Sequence, residues 1–175
     1  MELTQHQPGI FVLSLTDAEN RFNPTFMANV HAALDQVDRY TCARIDLAWR
    51  RADTTRSRYD GAAVLITRAS GKIFSNGLDL QWLGEHADQR DTFLCSFMRL
   101  IDRILVAPYR TIAAIQGHAF AGGMIFALAH DNRVMRRDRG FLCMPEVRAQ
   151  CAMSLLPLLA ANRVRLRLVR GEWRC

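Results

Sequence analysis

Residues 111–129 read TIAAIQGHAFAGGMIFALA, and the way this stretch divides decides the fold. Taken as one apolar span, its length would suit a membrane helix. Gln116 and His118 near its middle, followed by Gly122 and Gly123, argue against that. The better division is a buried strand over Thr111–Ile115, a glycine-bearing turn, and a buried helix from Gly122 to about Ala129.

Working outward, a second unit of the same build lies upstream. Residues 62–67, AAVLIT, form a continuous apolar run with β-branched members, which suits a strand buried on both faces. A polar turn with glycine follows, then Phe74, Ser75, Asn76, Gly77, Leu78, Asp79 and Leu80. Between the two units, Phe93, Phe97, Leu100, Ile101 and Ile104 recur on one face of an amphipathic helix over Asp91–Leu105, which Pro108 closes. Near the start, Ile10–Leu15 reads as a strand. Residues 24–37 read as a helix with Phe26, Val30, Ala33, Leu34 and Val37 in phase, and Asn23 before Pro24 suits an N-cap with proline at the first helical position. Residues 41–60 have weak periodicity and mixed charge and read as an insertion or long loop. Asn132–Met135 and Phe141–Met144 read as two short strands. Alternating strands and helices predict an α/β fold, with no clear internal repeat and no low-complexity tract.

The chain has 175 residues and is 50% hydrophobic, enough for one domain with a real core and hardly for two. The start, MELTQHQPGIF, has neither the basic region nor the long apolar stretch of a signal peptide. Cys42, Cys95, Cys143, Cys151 and Cys175 are odd in number and contain no CxxC pair, which predicts reduced thiols and no zinc site. The net charge of +6 invites a nucleic-acid reading. Its distribution does not support one: residues 41–60 carry five Arg against three Asp, residues 148–175 carry six Arg against one Glu, and the rest of the chain sums to −1. Of the 23 basic residues only Lys72 is lysine.

The two glycine turns carry the interesting chemistry. A turn that opens a helix leaves N–H groups free, with the helix dipole behind them. Two such turns side by side can aim two donors at one oxygen, an oxyanion hole; the plainer alternative is two tight packing turns. Neither matches a nucleotide-phosphate motif. No serine lies in a GxSxG context, so a serine hydrolase is not indicated. His118 and His130 read as packed or hydrogen-bonded, Asp131 as a polar strand start, and Met124, Phe126 and Met135 as core.

Residues 61–80, GAAVLITRASGKIFSNGLDL, resemble the first signature of the crotonase (enoyl-CoA hydratase/isomerase) family; residues 112–131, IAAIQGHAFAGGMIFALAHD, resemble the second; and FLCMPEV at 141–147 resembles the segment that carries a catalytic carboxylate. The resemblance covers about residues 8–147 and implies a spiral of ββα units. It maps the two oxyanion donors to the backbones of Leu78 and Gly122, and a catalytic carboxylate to Glu146. Ser75, Asn76, Gly77, Asp79, Gly123 and Ile125 become the substrate-binding positions. Hydratases of this family use two glutamates, and the first of these positions holds Ile125. One carboxylate suffices to move a proton from C2 to C4 of a 3-enoyl-CoA, so the resemblance implies a Δ3,Δ2-enoyl-CoA isomerase of fatty acid β-oxidation, of the plant type. A catalytically inactive acyl-CoA-binding protein and a hydratase are the alternatives. The substrate would bring its own coenzyme A; no further cofactor, no metal and no nucleic-acid partner is implied.

After Val147 the resemblance stops. Residues 148–175 form an Arg-rich tail in which Val164, Leu166 and Leu168 alternate with arginines in a strand-like way. The expectation is a core over 1–147 lacking the usual C-terminal helical region, from a truncated or frame-shifted product, which counts against the family's homotrimer. Location is expected to be peroxisomal by resemblance, although the chain ends Glu172-Trp173-Arg174-Cys175 rather than in an SKL-type signal; otherwise it is cytoplasmic.

Overall fold

The computed structural model describes residues 1–51, 63–144 and 166–169. Two sheets organise them. The larger has six strands in the order β1-β2-β3-β5-β7-β9, the smaller three in the order β4-β6-β8. β1 (Glu2–Gln7) and β2 (Ile10–Leu15) form an antiparallel hairpin. β3 (Val64–Ala69), β5 (Arg110–Ile115), β7 (Asn132–Arg136) and β9 (Leu166–Val169) then add in parallel to β2. β4 (Ile73–Ser75), β6 (His118–Phe120) and β8 (Leu142–Cys143) pair in parallel in the second sheet. Each turn of the chain thus lays one strand in the large sheet and the next in the small one, three times over. This is a structural repeat where the sequence shows none, because strands of two or three residues are too short to impose a side-chain period.

The helices are α1 (Pro24–Arg51), α2 (Leu80–Glu85), α3 (Arg90–Leu105) and α4 (Gly122–Ala129). The five apolar positions expected to face inward on α3 are its buried residues. Asn23 caps α1, its Oδ1 accepting from Phe26 N at 2.9 Å. Removing that acceptor in Asn23→Ala is expected to cost about 1 kcal/mol of stability, read as a lower denaturant midpoint at unchanged slope. Arg103 on α3 ties the two longer helices together, donating to Asp35 at 2.5 Å, to Asp38 at 2.6 Å and to His31 O at 3.1 Å.

Two expectations change, and β1, β4 and β6 lie where no strand was expected. Residues 41–51 are the last turns of α1 rather than a loop; residues 52–60 lie outside the described residues. Thr41 is the last position of α1 seen buried, its Oγ1 donating to Val37 O at 2.8 Å. The segment after it carries mixed charge and weak periodicity, so amphipathic periodicity stops before the helix does. The β3 run is buried on one face only: Leu65, Thr67 and Ala69 point into the core while Val64 and Ile66 are half-buried. β1 was not legible at all, since its residues are mostly exposed and polar and give no alternation. The strand-like alternation of the tail does correspond to β9, whose Leu166 pairs with Arg133 of β7. Among the described residues no helix is long and apolar enough to cross a membrane.

Candidate active site

The first glycine turn leaves β4 and is braced by a segment more than fifty residues upstream. Ser75 is fully buried; its Oγ donates to Asn20 O at 2.7 Å and accepts from Gly77 N at 3.1 Å. Asn20, held at φ 47°, donates from Nδ2 to Phe74 O at 3.1 Å. Asn76 bonds Glu19 twice, its amide N to Glu19 O and its Nδ2 to Glu19 Oε1, both at 2.9 Å. Asp79 caps α2 by accepting from Trp82 N at 3.2 Å, and accepts from Asn23 Nδ2 at 3.2 Å. The polar side chains of Ser75, Asn76 and Asp79 are therefore engaged in holding the turn.

What the turn presents is backbone. Phe22 N donates to Gly77 O at 2.8 Å and Asp79 N donates to Phe22 O at 2.9 Å, an isolated parallel bridge centred on Leu78. Successive peptide groups of an extended segment face opposite sides. Gly77 C=O and Asp79 N–H both face Phe22, so Leu78 N–H faces away from it.

The second turn packs against the first. Ala121, at φ 50° and ψ −124°, forms the N-cap of α4; its N donates to Cys143 O at 2.9 Å, and its O accepts from Met124 N at 3.0 Å and Ile125 N at 3.1 Å. The amides of Gly122 and Gly123 precede those first intrahelical donors. A non-glycine residue at positive φ is sparsely populated, costs about 1–3 kcal/mol and persists only where its surroundings hold it. The turns touch through their glycines. A Cβ on Gly77 (φ 85°) would sit 2.8 Å from Gly122 N, and one on Gly122 would sit 3.4 Å from Leu78 N and 3.2 Å from Phe97 Cζ. A Cβ on Gly123 would overlap Ser75 O and lie 2.7 Å from Ser75 Cβ, so only glycine lets α4 start against β4. The amides of Leu78 and Gly122 are thereby brought together, and among the described residues neither donates to a protein acceptor. An oxyanion hole needs two such donors aimed at one point.

The wall behind is aromatic. Phe22 packs against Phe26, Phe97 and Phe126 with ring centroids 5.0 to 5.2 Å apart. Ile125 is 4% exposed and belongs to the same core, Phe126 and Met135 are buried as expected, and Met124 is only half-buried. Glu146 lies outside the described residues. A separate cleft of about 390 Å³ opens between α1, α2 and α3, with Met27, Trp82 and Phe93 among its lining residues. Among the described residues no three His, Cys, Asp or Glu side chains gather as a metal site.

His130 closes α4 at its other end. It is fully buried; Nδ1 donates to Phe126 O at 2.8 Å, so Nε2 is the acceptor for the Thr67 hydroxyl at 2.9 Å. Burial disfavours the imidazolium and pushes His130 down to about 4, with the nearby Arg133 acting in the same direction and the Phe126 carbonyl opposing it. The unfolded chain takes up this proton near pH 6.5 and the folded one only near 4. The contribution of His130 to stability is therefore full above about pH 6.5, falls as pH drops to about 4 and levels off below, a loss of about 3 kcal/mol over the window. Urea midpoints at pH 7.5, 5.5 and 4.5 should show the fall, and His130→Asn should flatten it.

Sequence reasoning missed Glu19, Asn20 and Arg133. An Asn within a turn is the one local signal for a left-handed residue at position 20.

Residues 53–148 match the family model described as enoyl-CoA hydratase/isomerase. The chain is 38% identical over 145 residues to the peroxisomal enoyl-CoA delta isomerase 2 of Arabidopsis thaliana, covering 79% of this chain and 53% of that protein. It is 39% identical over 143 residues to enoyl-CoA delta isomerase 3 of the same plant, covering 79% and 52%. The chain thus spans about half the length of the curated relatives it matches. Its fold superposes on an enoyl-CoA hydratase/isomerase from Xanthobacter autotrophicus Py2 with a TM-score of 0.71 at 23% identity, over 98% of this chain and 68% of that one. The α/β spiral expected from the motifs is the fold of these enzymes, and the chain belongs to the enoyl-CoA hydratase/isomerase family.

Proposed function

We propose that this chain carries the thioester-activating centre of a Δ3,Δ2-enoyl-CoA isomerase that acts on unsaturated fatty acyl-CoA in β-oxidation. The observation that carries this reading is the pair of amides of Leu78 and Gly122, unengaged among the described residues and set side by side by the contact between Gly77 and Gly122. The thioester carbonyl oxygen accepts from both. Glu146 takes a proton from C2; the C–H electron pair forms a C1–C2 double bond and the carbonyl pair moves onto the oxygen, where the two amides stabilise the negative charge until the pair shifts into C2–C3 as C4 is protonated. The same carboxyl group, now protonated, delivers the proton to C4, and the double bond ends at C2–C3. No water, metal or redox partner enters the balance.

Ile125 supports isomerisation over hydration. Adding water across a double bond is better served by two acid–base groups, and Ile125 offers none. The similarity to plant delta isomerases points the same way, and the name of the first of them suggests a peroxisomal setting. The test is product analysis. Purified protein given 3-hexenoyl-CoA should form 2-hexenoyl-CoA, and given 2-hexenoyl-CoA should form no 3-hydroxyhexanoyl-CoA. Hydration would reassign the chain as a hydratase, and binding without either product would make it an acyl-CoA-binding protein.

A further inference from the structure

Among the described residues Arg133 is the one fully buried guanidinium, 2% exposed. It stands on β7 and meets the C-terminal end of α4. Nη1 donates to Leu128 O at 3.0 Å and closely to His130 O, and Nη2 donates to Asp131 O at 3.3 Å. Nε is buried with no hydrogen-bond partner among the described residues. The neighbouring carboxylate does not serve as its hydrogen-bonded counter-ion. Asp131 Oδ2 accepts from Thr111 N at 2.8 Å and Thr111 Oγ1 at 3.1 Å, and Oδ1 faces Arg110 at 3.5 Å. The hydrogen bonds of Arg133 therefore go to the carbonyls that end the helix, and the Asp131 carboxylate acts on its charge only through space.

Burying a cation without a bonded carboxylate is expensive, and a neutral side chain could cap these carbonyls at lower cost. The placement makes sense at the opposite end of α4. The helix has eight residues, so Gly122 N lies about 12 Å along the axis. The positive N-terminal end of a helix is partly offset by its negative C-terminal end. A guanidinium seated on that negative end removes the offset and adds a field of the same sense through a dry interior, where screening is weak. It also fixes α4 against β7 and so fixes the direction of the Gly122 amide.

We infer that Arg133 is a positioning residue for the reaction, acting through α4 to hold and strengthen the Gly122 donor at the thioester oxygen. This rests on the isomerase reading. The experiment compares wild type, Arg133→Lys and Arg133→Gln as full chains. It records kcat and KM for 3-hexenoyl-CoA and the infrared carbonyl stretch of bound hexanoyl-CoA carrying 13C at C1, a saturated thioester that cannot isomerise. In wild type the stretch should fall to lower frequency on binding. Arg133→Gln should lose part of that shift and about tenfold in kcat, equivalent to ~1.4 kcal/mol, with KM little changed; Arg133→Lys, which keeps the charge with fewer donors, should fall between. A folded Arg133→Gln with wild-type frequency overturns the inference even if turnover drops, because that is a purely structural effect. If Arg133→Gln does not fold, Arg133→Lys decides: a reduced shift supports the inference and an unchanged one overturns it. Failure of the isomerase reading would look different, with wild type itself showing neither carbonyl shift nor turnover.

Discussion

Gly77→Ala lowers kcat for 3-enoyl-CoA isomerisation by about 10²–10³-fold, the range for losing one oxyanion donor. The added methyl group meets two obstacles. The backbone sits at φ 85°, where an L side chain costs about 1–2 kcal/mol. The new Cβ would also stand 2.8 Å from Gly122 N and 2.9 Å from Phe120 O, and both are backbone atoms that cannot swing aside. The peptide joining Gly77 to Leu78 must rotate, or α4 must retreat. Either movement takes one of the two amides off its aim. Gly84→Ala is the control: it lies in α2 with nothing within 4 Å of its Cβ, and should leave kcat unchanged. Steady-state kinetics with denaturation midpoints separate lost aim from lost fold. A folded Gly77→Ala at wild-type kcat would mean these amides do not hold the reacting oxygen.

Glu146→Gln has the larger expected effect. A positioned acid–base group contributes about 10²–10⁴-fold, and in the proposed reaction one carboxylate both removes the C2 proton and returns it at C4. Glutamine keeps size and polarity but cannot carry the proton, so kcat should fall by about 10⁴-fold, the top of that range. Binding of hexanoyl-CoA, measured by calorimetry, should be retained, because the two backbone amides do not depend on residue 146. Turnover within tenfold of wild type would remove Glu146 from the mechanism.

The elements carried by strong local pattern were legible in the sequence. The buried face of α3, the strand and helix at the two ends of residues 111–129 and the N-cap at Asn23 follow from short-range periodicity and capping chemistry, whereas β6 between that strand and helix was read as a turn. The later turns of α1 were not, since residues 42–51 carry mixed charge and no apolar stripe to announce a helix. β1 was hidden for the complementary reason: an edge strand with mostly polar, exposed residues has no face to alternate. The candidate site divides in the same way. Two glycine turns opening toward helices can be seen in one dimension, and the family resemblance named Leu78 and Gly122. Which way Leu78 N–H points cannot be read there. It follows from the bridge to Phe22, 56 positions away, and from the Ser75–Asn20 and Asn76–Glu19 bonds that fix the turn. Arg133 was silent for a similar reason, because an arginine in a short strand looks like any surface cation until its burial is known.

The most direct test is the structure of this chain with hexanoyl-CoA bound. The thioester oxygen should lie about 2.7–3.1 Å from both Leu78 N and Gly122 N. An oxygen bonded to neither amide, or a thioester seated instead in the cleft between α1, α2 and α3, would contradict the account.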